Sequence, residues 1–313
     1  EALDFRAVTC ASAGAMNAAA LISGLDAGGL DGAREALDKL WREINLSGGR
    51  NVFGDSSIWS ATFSPAWMKD TPLWRSAESL AMTMSPYQFN PFNLNPLRRV
   101  LDAVVDFEAV RGSDIQLFVA TTAVKQGRVR LFDNAELTAD VLLASACLPH
   151  LFQAVEIDDP KTGRTEAYWD GGYSGNPALF PLFDRSLPAD IVIVNINPLE
   201  REEVPVTPQQ IQNRINEISF NSSLLRELRA IAFVQRLLKQ GRLTAAEKSN
   251  VLIHMIADDD LMTDLSVATK LVPNGFFVDK LKEAGRATAH TFLSRHKQDL
   301  NSRSTVNLEK MYG

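Results

Sequence analysis

Ser12 stands in the run Val8-Thr9-Cys10-Ala11-Ser12-Ala13-Gly14-Ala15-Met16-Asn17, between an apolar β-branched stretch and a row of very small helix formers. That placement suits a nucleophilic serine. Small neighbours let the backbone turn sharply from strand into helix and leave Oγ at the corner, beside the positive end of the helix. The pattern is Gly-x-Ser-x-Gly with Cys10 in place of the first glycine; the plainer role for such a serine is an N-cap. Asp170 is the second candidate, in Tyr168-Trp169-Asp170-Gly171-Gly172-Tyr173-Ser174-Gly175-Asn176-Pro177. Paired glycines after a carboxylate give the backbone the freedom to present it into a cleft. On its own, an Asp-Gly pair is equally an ordinary turn between strands.

A serine hydroxyl is a poor nucleophile at neutral pH, so a base must hold its proton and remove it as an ester carbonyl is attacked. Asp170 is the candidate base, and burial beside an apolar substrate would raise its pKa from near 4 toward a useful value. The competing arrangement is a Ser-His-Asp triad of Ser12, Asp170 and His254. His254 lies inside the strand-like run Val251 to Ala257, where a hydrogen-bonded structural role is the simpler expectation. His150 follows Pro149 in a loop, and His290 and His296 lie on a polar C-terminal helix.

Positioning these groups requires strands and helices in alternation. Strand-like runs are Phe5 to Cys10, Gln116 to Thr122, Arg128 to Phe132, Thr165 to Trp169, Asp190 to Asn197 and Val251 to Ala257. Helix-like runs are Ala13 to Ser23, Leu30 to Ile44, Pro96 to Val104, Thr138 to Ala146, Pro208 to Gln240 and Val278 to Gln298. The alternation predicts an α/β fold, a three-layer α/β/α sandwich around a central, mostly parallel sheet, with the nucleophile at the carboxyl edge of its strand.

Taken together and in this order, the two runs resemble the patatin-like phospholipases. That family sets its nucleophile in Gly-x-Ser-x-Gly and its base in Asp-Gly-Gly or Asp-Gly-Ala, and uses a Ser-Asp dyad without histidine. A third stretch, Ala144-Ser145-Ala146-Cys147-Leu148-Pro149, lies where bacterial members carry similar Ala-Ser-x-x-x-Pro segments. Asn176-Pro177 falls where the family often has an Asn-Pro pair. The likeness runs from about Val8 to Pro177 and more weakly through Asp190 to Asn197. It implies a lipid acyl hydrolase that cleaves fatty-acyl esters through an acyl-enzyme, with Ser12 as nucleophile and Asp170 as base. Ala13, Gly14, Gly171 and Gly172 would form the oxyanion and turn backbone, with no metal and no organic cofactor.

Two departures limit the likeness. The family's glycine-rich oxyanion loop, Gly-Gly-Gly-x-[Arg/Lys]-Gly, has no counterpart between Glu1 and Ser12. The expectation is therefore one hydrolase domain over residues 1–313, N-terminally incomplete and weakly active or inactive as it stands. One lost oxyanion donor costs on the order of a hundredfold to a thousandfold in rate. Cys10, the second departure, reads as a packing variant, since a buried free cysteine behaves as a small hydrophobe. Both features also suit a catalytically impaired lipid-binding or regulatory protein on the same fold.

The stretch Asn51 to Asn95 fits neither period and gathers Phe53, Trp59, Phe63, Trp67, Met68, Trp74, Met82, Met84, Tyr87, Phe89 and Phe92. It reads as an acyl tunnel, lid or lipid-contact surface, or else as a satellite core. Trp67, Phe89 and Phe92 are the candidate substrate-binding residues.

With 313 residues, 45% hydrophobic, the chain is long enough for a large core, and no linker divides it. A net charge of −6 without a basic, aromatic-interleaved stripe argues against nucleic acid. Arg226, Arg229, Arg236, Lys239 and Arg242, with Glu227 among them, read as a solvated helix face. No apolar run reaches the ~18 residues of a membrane span. Cys10 and Cys147 are the only cysteines, and they offer neither a disulfide framework nor metal-ligand spacing. The expected setting is cytoplasmic, and the expected partner a lipid or other apolar ester, met through transient contact with a membrane surface.

Overall fold

The computed structural model describes residues 3–49, 84–244, 250–264 and 275–312. Strand β1 (Ala7–Cys10) runs directly into helix α1 (Ala13–Gly49). The backbone leaves helical geometry at Gly28 and Gly29, where Gly29 takes φ +60°. The two helices expected from the sequence are the two limbs of a hairpin closed by this break. A Cβ on Gly24 would lie 2.4 Å from the Gly32 carbonyl oxygen, so only glycine lets the limbs approach so closely. Farther from the bend, Trp41 Nε1 donates to Asn17 Oδ1 at 2.9 Å.

Next come α2 (Pro86–Phe89), α3 (Pro96–Val104) and α4 (Phe107–Arg111). The main sheet follows, from β2 (Gln116–Ala123), β3 (Arg128–Phe132), β4 (Val155–Asp159) and β5 (Arg164–Asp170), with α5 (Ala139–Ser145) between β3 and β4. In this five-stranded sheet β1 and β2 are parallel, whereas β2–β3, β2–β5 and β4–β5 are antiparallel. The mostly parallel sheet expected from the sequence is therefore corrected to a mixed one. β2–β3 and β4–β5 are joined by tight turns carrying Gly127 at φ +63° and Gly163 at φ +65°, too short for the crossover that a parallel pair needs.

Strand β4 was not expected. Its sequence, Val-Glu-Ile-Asp-Asp, carries too little apolar character to signal a strand; its end is held instead by Arg130. That guanidinium bonds Asp159 Oδ1 at 2.7 Å and Glu136 Oε1 at 2.6 Å, and Tyr168 Oη donates to Asp159 Oδ2 at 2.6 Å.

The alternation of backbone groups along β2 decides which neighbour lies on which edge. Gln116 N–H donates to Arg6 and Val124 N–H to Ala167, so the even residues face both β1 and β5. Leu117 N–H meets the Asn134 side chain, on the β3 edge. β1 and β5 therefore lie end to end along one edge of β2: Cys10 pairs with Val119 and Asp170 with Thr121, leaving Ala120 in the gap.

The run beginning at Asp190 does not join this sheet. Strand β6 (Asp190–Asn195) pairs in parallel with β7 (Leu252–Ala257) as a separate two-stranded sheet. Two cores result. One packs Ile22, Leu40, Leu101, Leu117, Leu142 and Tyr168, each burial worth about 1.5–3 kcal/mol. The other sets Ile191, Ile193 and Ile253 against Leu224, Leu228 and Ile231 of α6 (Pro208–Lys239). Arg226, Arg229, Arg236, Lys239 and Arg242 are exposed, as expected. Glu227 departs from that face: half-buried, it accepts the Leu179 N–H at 2.8 Å. The chain closes with α7 (Asp259–Asp264), α8 (Gly275–His296) and α9 (Leu308–Tyr312). Among the described residues no helix is long and apolar enough to cross a membrane.

Candidate active site

Ser12 occupies the corner between β1 and α1 with φ +55°, a left-handed conformation that costs a non-glycine residue about 1–2 kcal/mol. Ala11 and Ala15 are buried on either side, while Ala13 and Gly14 are exposed. The first amides of a helix have no intrahelical acceptor, so those of Ala13 and Gly14 open the positive end of α1 beside Oγ. Ser12 Oγ does not cap the helix; it donates to Asp170 Oδ2 at 2.7 Å, across 158 residues of sequence.

Asp170 ends β5 and is only 1% exposed. Its second oxygen, Oδ1, accepts the Gly172 N–H at 2.7 Å, and its own N–H donates to the Cys147 carbonyl at 2.9 Å. Thr122 Oγ1 donates to the Asp170 carbonyl at 2.8 Å and shares a 2.7 Å bond with Ser174 Oγ. Burial raises the carboxyl pKa to about 6, against the smaller opposing effects of the Gly172 and Ser12 hydrogen bonds. Gly171 is dictated by space, since a Cβ there would lie 2.1 Å from the Ala120 carbonyl oxygen. The Gly172 amide is committed to the carboxylate.

The third stretch closes the arrangement. Ser12 N–H donates to both the carbonyl (3.1 Å) and the hydroxyl (2.9 Å) of Ser145, and that hydroxyl donates to the Ala120 carbonyl at 2.7 Å. Nothing in the run Ala144 to Pro149 signals a role for Ser145. Tyr173 and Phe220 were also missed. Their rings pack at 5.3 Å, and a Cβ on Gly172 would lie 2.5 Å from the Phe220 ring. Tyr173 belongs to the Asp170 run and was within reach of inspection; Phe220, on α6, carries no local signal.

The other candidates lie elsewhere. His254 is fully buried, with Nε2 at 2.9 Å from Asp190 Oδ1 and Nδ1 at 3.3 Å from Thr305 Oγ1. Its ring is engaged at β6 and the C-terminal segment, while Ser12 is engaged with Asp170. Trp67 lies outside the described residues. Phe89 is half-buried and Phe92 is 83% exposed, on a segment docked where Gln153 Nε2 donates to the Asn90 carbonyl at 2.7 Å. The nearby cleft is lined by Asn93, Leu94, Arg98, Phe152 and Gln153 and includes neither Ser12 nor Asp170. Cys10 and Cys147 are both buried and free, and burial pushes each thiol up to about 12, as suits packing residues. Among the described residues no group of three His, Cys, Asp or Glu side chains could hold a metal ion.

A buried carboxylate on a strained serine beside open helix amides is an arrangement for acyl transfer. A family model described as Patatin-like phospholipase matches residues 1–183, a span that contains Ser12, Ser145, Asp170 and Tyr173 but not Phe220. No curated protein matches the chain.

Proposed function

The chain belongs to the patatin-like phospholipase family, whose members act on lipid acyl esters, and on that footing we propose that it hydrolyses fatty-acyl esters through a Ser12–Asp170 dyad and an acyl-enzyme. The observation that carries the proposal is the 2.7 Å hydrogen bond from Ser12 Oγ to a carboxylate buried enough for its pKa to stand at about 6. An aspartate of ordinary pKa would be too weak a base; this one sits within reach of neutral pH.

Asp170 Oδ2 takes the Oγ proton as Oγ attacks the ester carbonyl. The oxyanion develops beside the amides of Ala13 and Gly14, which need no reorientation to meet it. Asp170 returns the proton to the departing alcohol, leaving the acyl group on Ser12. Water then attacks the acyl-enzyme, giving one proton to the same carboxylate; the acyl–Oγ bond breaks, Asp170 passes that proton to Ser12 Oγ, and the fatty acid leaves with the dyad restored. Tyr173 and Phe220 supply an apolar wall beside the acid, which maintains its desolvation and suits an acyl chain. We extend the reading to one hydrolase domain with a three-layer α/β/α arrangement, supported by α1 and α5 packed on the main sheet and α6 on Ile191 and Ile193.

The test is hydrolysis of p-nitrophenyl butyrate and octanoate, and fatty-acid release from phosphatidylcholine vesicles, by the natural gene product and its Ser12→Ala and Asp170→Asn variants. The expected result is a loss of about a thousandfold or more in both variants. Parental turnover in either would overturn the dyad. A folded parent without turnover would leave a lipid-binding protein on the hydrolase fold.

A further inference from the structure

We propose that Ser145 is a positioning residue for this reaction: its hydroxyl is inserted between the nucleophile's backbone and β2, and it sets where Ser12 stands relative to Asp170. The inference deepens the dyad reading and rests on it.

The register of β1 and β2 carries the argument. In a parallel pair, a residue facing its neighbour donates its N–H to the carbonyl of the residue before its partner. β1 pairs Val8 with Leu117 and Cys10 with Val119. One rung further, Ser12 N–H would fall on the Ala120 carbonyl. The structure breaks that rung and places the Ser145 hydroxyl in it, so that Ser12 N–H donates to Oγ at 2.9 Å and Oγ donates to Ala120 at 2.7 Å. The chain can thus leave the strand at Ser12, adopt φ +55° and turn Oγ toward the acid, with both backbone groups still satisfied.

Ala120 is also where the acid arrives. It lies between Val119, opposite Cys10, and Thr121, opposite Asp170, and its carbonyl oxygen is the atom against which Gly171 packs. The three stretches singled out in the sequence therefore meet at one carbonyl, and the Ser145 hydroxyl joins two of them to it. The anchor is firm: Ser145 ends α5, and Val141, Leu142, Leu143, Ala144 and Ser145 are all buried. Its single proton goes to Ala120 while it accepts from Ser12, so an alanine in its place would leave the Ala120 carbonyl without this donor. Ser12 N–H would keep only the 3.1 Å contact to the Ser145 carbonyl.

The test compares the parent with Ser145→Ala and Ser145→Cys, the latter similar in shape but a weaker donor and acceptor. Circular dichroism and melting curves establish that each variant is folded at the assay temperature. For p-nitrophenyl butyrate, Ser145→Ala is expected to lower kcat by about ten- to a hundredfold, as a small misplacement of a reacting group does, with KM within about twofold. The acid limb of kcat/KM should move to higher pH, because a looser Ser12 hydrogen bond holds the carboxyl down less. Ser145→Cys should fall between the two and carries the comparison if the alanine variant does not fold. Parental kcat and an unmoved acid limb in a folded variant, whatever its melting temperature, would overturn the inference. Ser12→Ala and Asp170→Asn run beside them separate the two readings. If both are dead while Ser145→Ala is parental, only this inference fails; if either is active, the dyad fails and takes this inference with it.

Discussion

Replacing Asp170 by Asn should abolish turnover and at the same time stabilise the protein above neutral pH. The carboxyl is 1% exposed, and its pKa rises from the ordinary value near 4 to about 6 because burial penalises the charge. Between those values the native state binds more protons than the unfolded chain. Parental stability therefore falls as pH rises through the window from 4 to 6, and the full cost is present at pH 8. An interval of about two pK units corresponds to about 3 kcal/mol. Asparagine carries no charge to desolvate. Its Oδ1 still accepts the Gly172 N–H, and its amide can donate to Ser12 Oγ, at a cost of about 1 kcal/mol for exchanging a charged for a neutral bond. The net gain at pH 8 is about 2 kcal/mol, a rise in Tm of about 3–6 °C for a chain of this size. At pH 4.5, where the native carboxyl is protonated, the advantage shrinks to under about 1 kcal/mol before that exchange is counted and vanishes after it. Thermal and urea denaturation of parent and variant at both pH values measures the difference. A variant less stable than its parent at pH 8, or a gap of the same size at both, would refute the argument that burial sets the basicity of Asp170.

Three further outcomes follow from the same structure. The acid limb of kcat/KM for p-nitrophenyl butyrate should have its midpoint near pH 6, with activity lost as Asp170 is protonated below it; a midpoint near 4 would mean an unperturbed acid. Gly171→Ala should cost about 3 kcal/mol or more in urea denaturation, since its Cβ would stand 2.1 Å from a backbone oxygen that cannot yield; a loss under about 1 kcal/mol would contradict the packing. Arg130→Met strands the buried Asp159 and should destabilise the protein by about 3–5 kcal/mol at pH 7. The hydrogen bond from Arg130 holds that carboxyl far below its usual range, so the stability it contributes is present above pH 4 and lost as pH falls. Denaturation curves should show the gap between parent and variant narrowing toward pH 3.

Much of the local structure was legible in the sequence. Helix α3 matches its expected span, fixed by the Asn95 cap and by Pro96 in the first turn. The corner at Ser12 followed from an apolar strand meeting small residues, and the turn at Asp170 from its two glycines. Strand direction was less legible, although its cause, the short turns at Gly127 and Gly163, stood in the chain. The role of Ser145 was invisible, because a hydroxyl inserted into one rung of a sheet has meaning only once the strand register is known.

The sequence by itself determined the two local features on which the proposed chemistry rests, a serine at a strand-to-helix corner and an acid at a glycine turn, because corners and turns are properties of a few adjacent residues. Tertiary structure alone decided that the two face each other, since the ends of β1 and β5 meet only because both strands pair along the same edge of β2. It also decided that burial lifts the Asp170 carboxyl pKa to about 6. Desolvation depends on what surrounds a group in space, and Ser12, Thr122 and Cys147, which pack on Asp170, are all distant from it in sequence.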